Sequence, residues 1–237
     1  MYTEFTCASD ICKTANEWGF LPFFKGEIPE FSIEEFTPGD LWFSNTVEGP
    51  WEWKTECITD GALAYGKFYR GKACYVSMRF YPHLLNYRRA TYTLTEQEQH
   101  VLNVLQDHRW LLSRDLKRLS GYTPRPRAPR EQNPLLRAAA RKSRAPLHDD
   151  RVEAFDTAVT RLQMAGRILI SDFIYNIDRN GKRYGWSVAR YCTPEDFFGA
   201  DALAVNCTPE QSAQLLHDRL TSLLPQASVR QIDRIIG

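Results

Sequence analysis

The 237 residues carry 30 basic and 29 acidic side chains, a formal net charge of +1 and 43% hydrophobic residues. That composition excludes a wholly disordered chain, and no apolar run approaches the roughly 18 residues a membrane-spanning helix requires. The first residues show no basic start followed by an apolar stretch, so no secretory signal is expected and the chain reads as cytoplasmic, with room for one large domain or two small ones at roughly 100–200 residues each.

Residues 3–19 predict a first helix, with Phe5, Ile11, Cys12, Ala15 and Trp18 near one face and Gly19 at its end. Residues 30–36 predict a short second helix capped by Ser32. Trp42, Phe43, Trp51 and Trp53 make the next stretch unusually aromatic, and Trp51-Glu52-Trp53-Lys54 reads as a strand or a splayed loop. Residues 62–78 alternate loosely around Arg70-Gly71-Lys72, a hairpin with Gly71 in the turn.

Thr95 and Glu98 are spaced as a capping box for a helix whose apolar face is Val101, Leu102, Val104 and Leu105. Gln97, Glu98 and Gln99 then read as exposed residues of its first turn. A short helix over 113–121 turns Leu116 and Leu119 inward, and a third over 149–165 turns Val152, Phe155, Val159 and Leu162 inward. Its outward positions are Glu153, Asp156, Thr157, Thr160, Arg161 and Gln163, a mix poorly suited to approaching phosphates. Strands over 168–177 and 184–191 flank the loop Asp178-Arg179-Asn180-Gly181-Lys182, where Asn-Gly suits a tight turn. Three helices followed by a hairpin is the layout of a winged helix. A capped helix over 209–224 and a short one over 228–236 close the chain.

Charge is distributed unevenly. Residues 1–60 have a net charge of −9, residues 61–145 of +12 and residues 146–237 of −2. A basic middle predicts a polyanionic partner or an acidic surface within the chain. The long connection over 122–148 carries Arg125, Arg127, Arg130, Arg137, Arg141, Lys142 and Arg144 against Glu131 alone. Arg114, Lys117 and Arg118 on the second helix and Arg179, Lys182 and Arg183 at the hairpin tip extend this set. Together they are the candidate nucleic-acid-binding residues, and DNA is the expected partner. Trp51 and Trp53 form a candidate aromatic surface for stacking on bases, or pack a small core or domain junction.

Cys7, Cys12, Cys57, Cys74, Cys192 and Cys207 fall in no C-x-x-C pair, and the five histidines show no pairing. Free thiols, no metal and no cofactor are expected. Catalytic residues are not identified: carboxylates are plentiful, but spacing alone selects no acid–base pair.

Gly49-Pro50-Trp51-Glu52-Trp53-Lys54 followed by Gly61-Ala62-Leu63-Ala64-Tyr65-Gly66-Lys67 resembles a segment of the AlkZ-like proteins. Phe155-Asp156-Thr157-Ala158-Val159-Thr160-Arg161-Leu162-Gln163-Met164 and Tyr184-Gly185-Trp186-Ser187-Val188-Ala189-Arg190-Tyr191-Cys192-Thr193-Pro194-Glu195 resemble the shorter AlkZ-related proteins. The resemblance implies tandem winged-helix architecture and kinship with DNA glycosylases that unhook alkylated or crosslinked bases. In that family a Gln-x-Gln or Gln-x-Asp motif near the N-terminus positions the attacking water. Residues 1–60 here contain no glutamine, and Gln97 and Gln99 follow the Trp-x-Trp-Lys segment, so the role passes to neither.

The expected fold is α+β, mostly helical, with tandem winged-helix modules that have β-hairpin wings. Residues 1–90 form the first module, 91–199 the second with its basic insertion, and 200–237 a helical tail. Three functions compete: a DNA-binding protein linked to repair, a glycosylase with divergent catalytic residues, and a protein-interaction module whose acidic N-terminal region packs on the basic middle.

Overall fold

The computed structural model describes residues 4–44, 46–59, 63–122 and 154–237. Within them the chain is α+β, with ten α-helices and two antiparallel sheets of three strands. The first sheet has the order β1-β3-β2, from β1 (Phe20–Pro22), β2 (Leu63–Tyr69) and β3 (Lys72–Ser77). The hairpin β2–β3 turns at Arg70-Gly71, both at positive φ (51° and 71°), which glycine adopts without steric cost.

Helix α1 (Ala8–Trp18) starts later than its apolar spacing predicts. The Asp10 carboxylate accepts from the Thr6 and Cys7 backbone N–H groups at 2.9 and 3.2 Å and ends the helix there. Phe5 instead packs on Phe36, at the end of the short α2 (Ile33–Phe36), whose cap is Ser32. Trp51-Glu52-Trp53-Lys54 is neither strand nor loop: it lies in helix α3 (Pro50–Thr59). Pro50 suits the first helical position, and Glu52 accepts from the Gly49 N–H at 3.0 Å. A Cβ on Gly49 would stand 1.9 Å from the Leu41 carbonyl oxygen, so only glycine fits that entry. Sequence spacing also missed β1 and helix α4 (Tyr81–Thr91).

The second sheet has the order β4-β6-β5. It follows α5 (Glu96–His108) and comprises β4 (Trp110–Leu112), β5 (Leu169–Ile177) and β6 (Arg183–Cys192). Helices α6 (Ser113–Leu119) and α7 (Phe155–Met164) come between β4 and β5. The Thr95–Glu98 capping box is present, but Glu98 is buried, its carboxylate accepting from the Tyr92 hydroxyl at 2.8 Å and the Thr95 N–H at 2.9 Å. Leu116 is buried, whereas Leu119 is 38% exposed rather than inward. Val152 and Glu153 lie outside the described residues. Phe155, Val159 and Leu162 are buried as their spacing requires.

Gln163 is also buried, against the expectation that it faces outward. Its Oε1 accepts from the Lys67 N–H at 3.0 Å, at an irregularity between Gly66 and Tyr69 in the β2–β3 pairing. Its Nε2 donates to the Val159 carbonyl at 3.1 Å. Lys67 Nζ reaches Thr160 Oγ1 at 3.1 Å. One side of α7 is therefore covered by β2.

After α8 (Pro194–Phe198), helices α9 (Pro209–Leu223) and α10 (Val229–Ile236) return to the N-terminal half. Arg219 on α9 donates to the Trp18 carbonyl at 3.1 Å, and Gln231 on α10 donates to the Glu27 carbonyl at 3.1 Å. Arg88 on α4 is the point of convergence. Its guanidinium, buried to 3% exposure, donates to the carbonyls of Phe68 (2.7 Å), Met164 (2.9 Å), Ile235 (2.8 Å) and Ile236 (2.7 Å). Met164, Ile235 and Ile236 are terminal carbonyls of α7 and α10, where the helix dipole favours a cation. Burial pushes the group down to about 10, so it stays charged at neutral pH.

Replacing Arg88 strands several buried carbonyls. Arg88→Ala should cost at least about 3 kcal/mol, and Arg88→Lys should rescue little, because an ammonium lacks the planar fork. Urea unfolding of the three proteins measures both effects.

Candidate nucleic-acid interface

The hairpin β5–β6 projects from the second sheet as a ribbon. Its loop is shaped by Asp178, whose Oδ1 accepts from the N–H groups of Asn180 and Lys182, both at 2.8 Å. This Asx-type turn leaves Arg179, Lys182 and Arg183 exposed at the tip. None of the three has an ion-pair partner among the described residues. Arg183 lies over the Tyr175 ring at 5.1 Å, a contact that holds the guanidinium on the ribbon without cancelling its charge.

Helix α6 starts beside this ribbon. Arg114 donates to Asn176 Oδ1 on β5 at 3.1 Å, joining the helix to the ribbon shaft. Arg118 is exposed and stands 3.8 Å from Asp115. Lys117 is half-buried, its ammonium over the Phe155 ring at 5.5 Å. Tyr122 meets the same Phe155 ring at 5.5 Å. The chain leaves α6 and re-enters α7 at one place, next to these cations. Arg125, Arg127, Arg130, Arg137, Arg141, Lys142 and Arg144, on the segment between, lie outside the described residues.

The ribbon also carries large exposed side chains that sequence reasoning did not single out. Ile177, Tyr184 and Trp186 stand in solvent, Trp186 at 77% exposure. The signal for Trp186 is Gly185, at φ 69°, beside a register shift between Ile174 and Asn176 that loops this part of β6 outward.

Trp186 meets Trp51, with ring centres 6.2 Å apart. Trp51 is half-buried and packs against Phe24 and Trp42. Trp53, by contrast, is 4% exposed and belongs to the core. The indole N–H groups of Trp42 and Trp51 are buried without an acceptor among the described residues. Lys54 is buried between the two halves, its ammonium 3.8 Å from the Phe173 ring centre on β5 and 5.1 Å from that of Trp51. Gln97 and Gln99 lie elsewhere, in the first turn of α5, where Gln99 bonds Asn103 at 2.7 Å.

Burial pushes the Lys54 ammonium from 10.5 down to about 8, while Glu52 pulls the other way. Below about 8 the lysine is charged in both folded and unfolded chains, and the burial cost is fully present. Between about 8 and 10.5 the folded chain sheds its proton first, so this group makes stability rise with pH. Lys54→Met should therefore lack that rise in chemical melts. The difference between the two proteins separates Lys54 from the thiols of Cys74 and Cys192, raised by burial to about 12 and acting in the opposite sense.

Comparison with known protein families matches residues 5–237 to the family described as AlkZ related. No curated protein and no solved structure matches the chain. The match spans both sheets, the ribbon and the closing helices, and on it the chain belongs to the AlkZ-related family.

Proposed function

We propose that the chain is a DNA-binding protein serving DNA repair, holding the duplex by its backbone through two winged-helix modules. Residues 1–90 form the first module, with the β2–β3 hairpin as its wing. Residues 91–199 form the second, in the order α5, β4, α6, α7, β5, β6, with the β5–β6 ribbon as its wing. Residues 200–237 brace the pair.

The ribbon tip carries this reading. Arg179, Lys182 and Arg183 are exposed, and none pairs with a described carboxylate. Arg114 joins them to α6 through Asn176, and the basic insertion departs beside Lys117. Helix α7 is a poor candidate for entering a major groove, because Thr160 and Gln163 are engaged by Lys67 and Asp156 is exposed. Contact through wing and backbone fits better. For the described part of the basic middle, the acidic N-terminal region is not the favoured partner; Arg89 and Arg109 pair with Glu195 and Asp196 instead. Among the described residues, the ion pairs between residues 1–60 and 61–145 reduce to Glu27 with Arg70 at 3.2 Å.

A second reading, base excision by residues other than the family's glutamines, is favoured by the Trp42–Trp51–Lys54 cluster. Its aromatic faces, two indole donors without an acceptor among the described residues and a buried cation suit an extruded base. An alkylated duplex incubated with the protein and then treated with mild alkali tests this: strand breaks at the lesion support excision, and intact strands refute it.

The binding proposal is tested by anisotropy titration of a labelled duplex at several salt concentrations. The combined change Arg179→Ala, Lys182→Ala and Arg183→Ala should weaken binding and flatten the log–log salt slope by about 0.9 for each phosphate that is no longer neutralised. Unchanged affinity and slope would refute the assignment of the ribbon.

A further inference from the structure

Away from the ribbon, four polar side chains converge on the seam between α4 and the start of α9. Cys207 stands one residue before Thr208, the cap of α9. Its Sγ lies 3.1 Å from Ser212 Oγ and 3.5 Å from His83 Nδ1. Ser212 Oγ is 3.2 Å from the same His83 nitrogen and accepts from Asn86 Nδ2 at 2.9 Å. Asn86 Nδ2 also donates to the Cys207 carbonyl at 3.0 Å, fixing the thiol-bearing residue to α4. No spacing in the sequence pairs the histidines, and His83 meets Cys207 and Ser212 from far along the chain.

The hydrogen-bond directions can be worked out. With Asn86 donating to it, Ser212 Oγ has one proton to give and one lone pair left. All the groups are satisfied when the Cys207 thiol donates to Ser212 Oγ and the Ser212 hydroxyl donates to His83 Nδ1. The imidazole then carries its proton on Nε2. Burial pushes His83 down, which keeps it neutral and able to accept at neutral pH. Ser212 is fully buried, whereas Cys207 and His83 are half-buried. The other core thiols differ. Cys74 and Cys192 are buried and raised to about 12, and Cys57 is buried with its thiol on the Ala8 carbonyl.

We propose that Cys207 is a reactive thiol, with Ser212 and His83 taking its proton, and that its substrate is hydrogen peroxide. Half-burial selects a small electrophile, and peroxide needs a proton for its leaving oxygen, which His83 then holds. The thiol proton passes through Ser212 to His83 Nδ1. The thiolate attacks one peroxide oxygen; the S–O bond forms as the O–O bond breaks. The departing hydroxide recovers the proton and leaves as water. Sulfur is oxidised to a sulfenic acid, and the peroxide is reduced.

The test treats the intact protein with stoichiometric hydrogen peroxide, traps sulfenic acid with a dimedone reagent and maps the label by peptide mass spectrometry. Cys207 should label at least about tenfold faster than the exposed Cys7. His83→Gln should slow Cys207 labelling by roughly tenfold or more. It should do so at an unchanged melting temperature. Equal labelling of Cys7 and Cys207, or an unchanged rate in a folded His83→Gln protein, overturns the proposal. If His83→Gln does not fold, the comparison of Cys207 with Cys7 in the unaltered protein decides it.

Discussion

Arg88 sets the geometry on which the rest depends. A buried guanidinium is costly unless its donors are matched, and here the matching groups are backbone carbonyls from β2, α7 and α10. No one of these elements satisfies the group alone. The first sheet, the second half of the chain and the closing helices must meet at one point before the charge is answered. Arg89, its neighbour, extends the junction by donating to the Gly166 carbonyl at 2.9 Å and pairing with Glu195 on α8. Helix α4 thus acts as the axle of the molecule, although nothing on it belongs to the ribbon.

The exposure of the ribbon tip follows from that constraint. Holding the end of α7 against β2 commits the side of α7 that carries Gln163 and Thr160 to packing on Lys67. At the β2–β3 turn, a Cβ on Gly71 would come within 3.2 Å of the Thr160 methyl group, so the hairpin also approaches α7 closely. A helix covered in this way cannot lie deep in a groove. The ribbon-tip cations Arg179, Lys182 and Arg183, on an element that Arg88 does not touch, have no ion-pair partner among the described residues. The same docking sets β5 against α3, where Phe173 covers the Lys54 ammonium. The aromatic junction is thus a by-product of how the halves are clamped.

Much of this was legible in the residues, where the determinants are local. The Thr95–Glu98 capping box, the Ser32 cap, both hairpins and the apolar stripe of α7 each depend on neighbours within a few positions, and each is present. The tip cations were legible for the same reason, since a polar turn leaves its side chains in solvent. Helix α4 was not, because Arg88 and Pro82 are buried alongside Leu84 and Leu85, and buried polar positions erase the apolar period. Helix α3 was hidden by its aromatics, which favour strands in isolation but here begin behind Pro50. Inward-facing Gln163 depends on the irregularity in β2, far away in the chain. The Cys207–His83 pair spans 124 residues, and no spacing rule could have joined them.

The near-zero net charge is therefore a poor guide to what the surface presents. Where opposite charges meet, they do so to hold elements in place: Glu27 with Arg70 and Arg234, Glu195 with Arg89, Asp172 with Arg190. These pairs leave the three cations of the ribbon tip untouched. An even balance of 30 basic and 29 acidic residues thus conceals a local excess: the ribbon tip holds Arg179, Lys182 and Arg183 exposed and without an ion-pair partner among the described residues. A polyanion would sense that local field rather than the sum, because at physiological salt the field reaches only about 8 Å. The acidic first sixty residues can be carried on the same molecule without cancelling it.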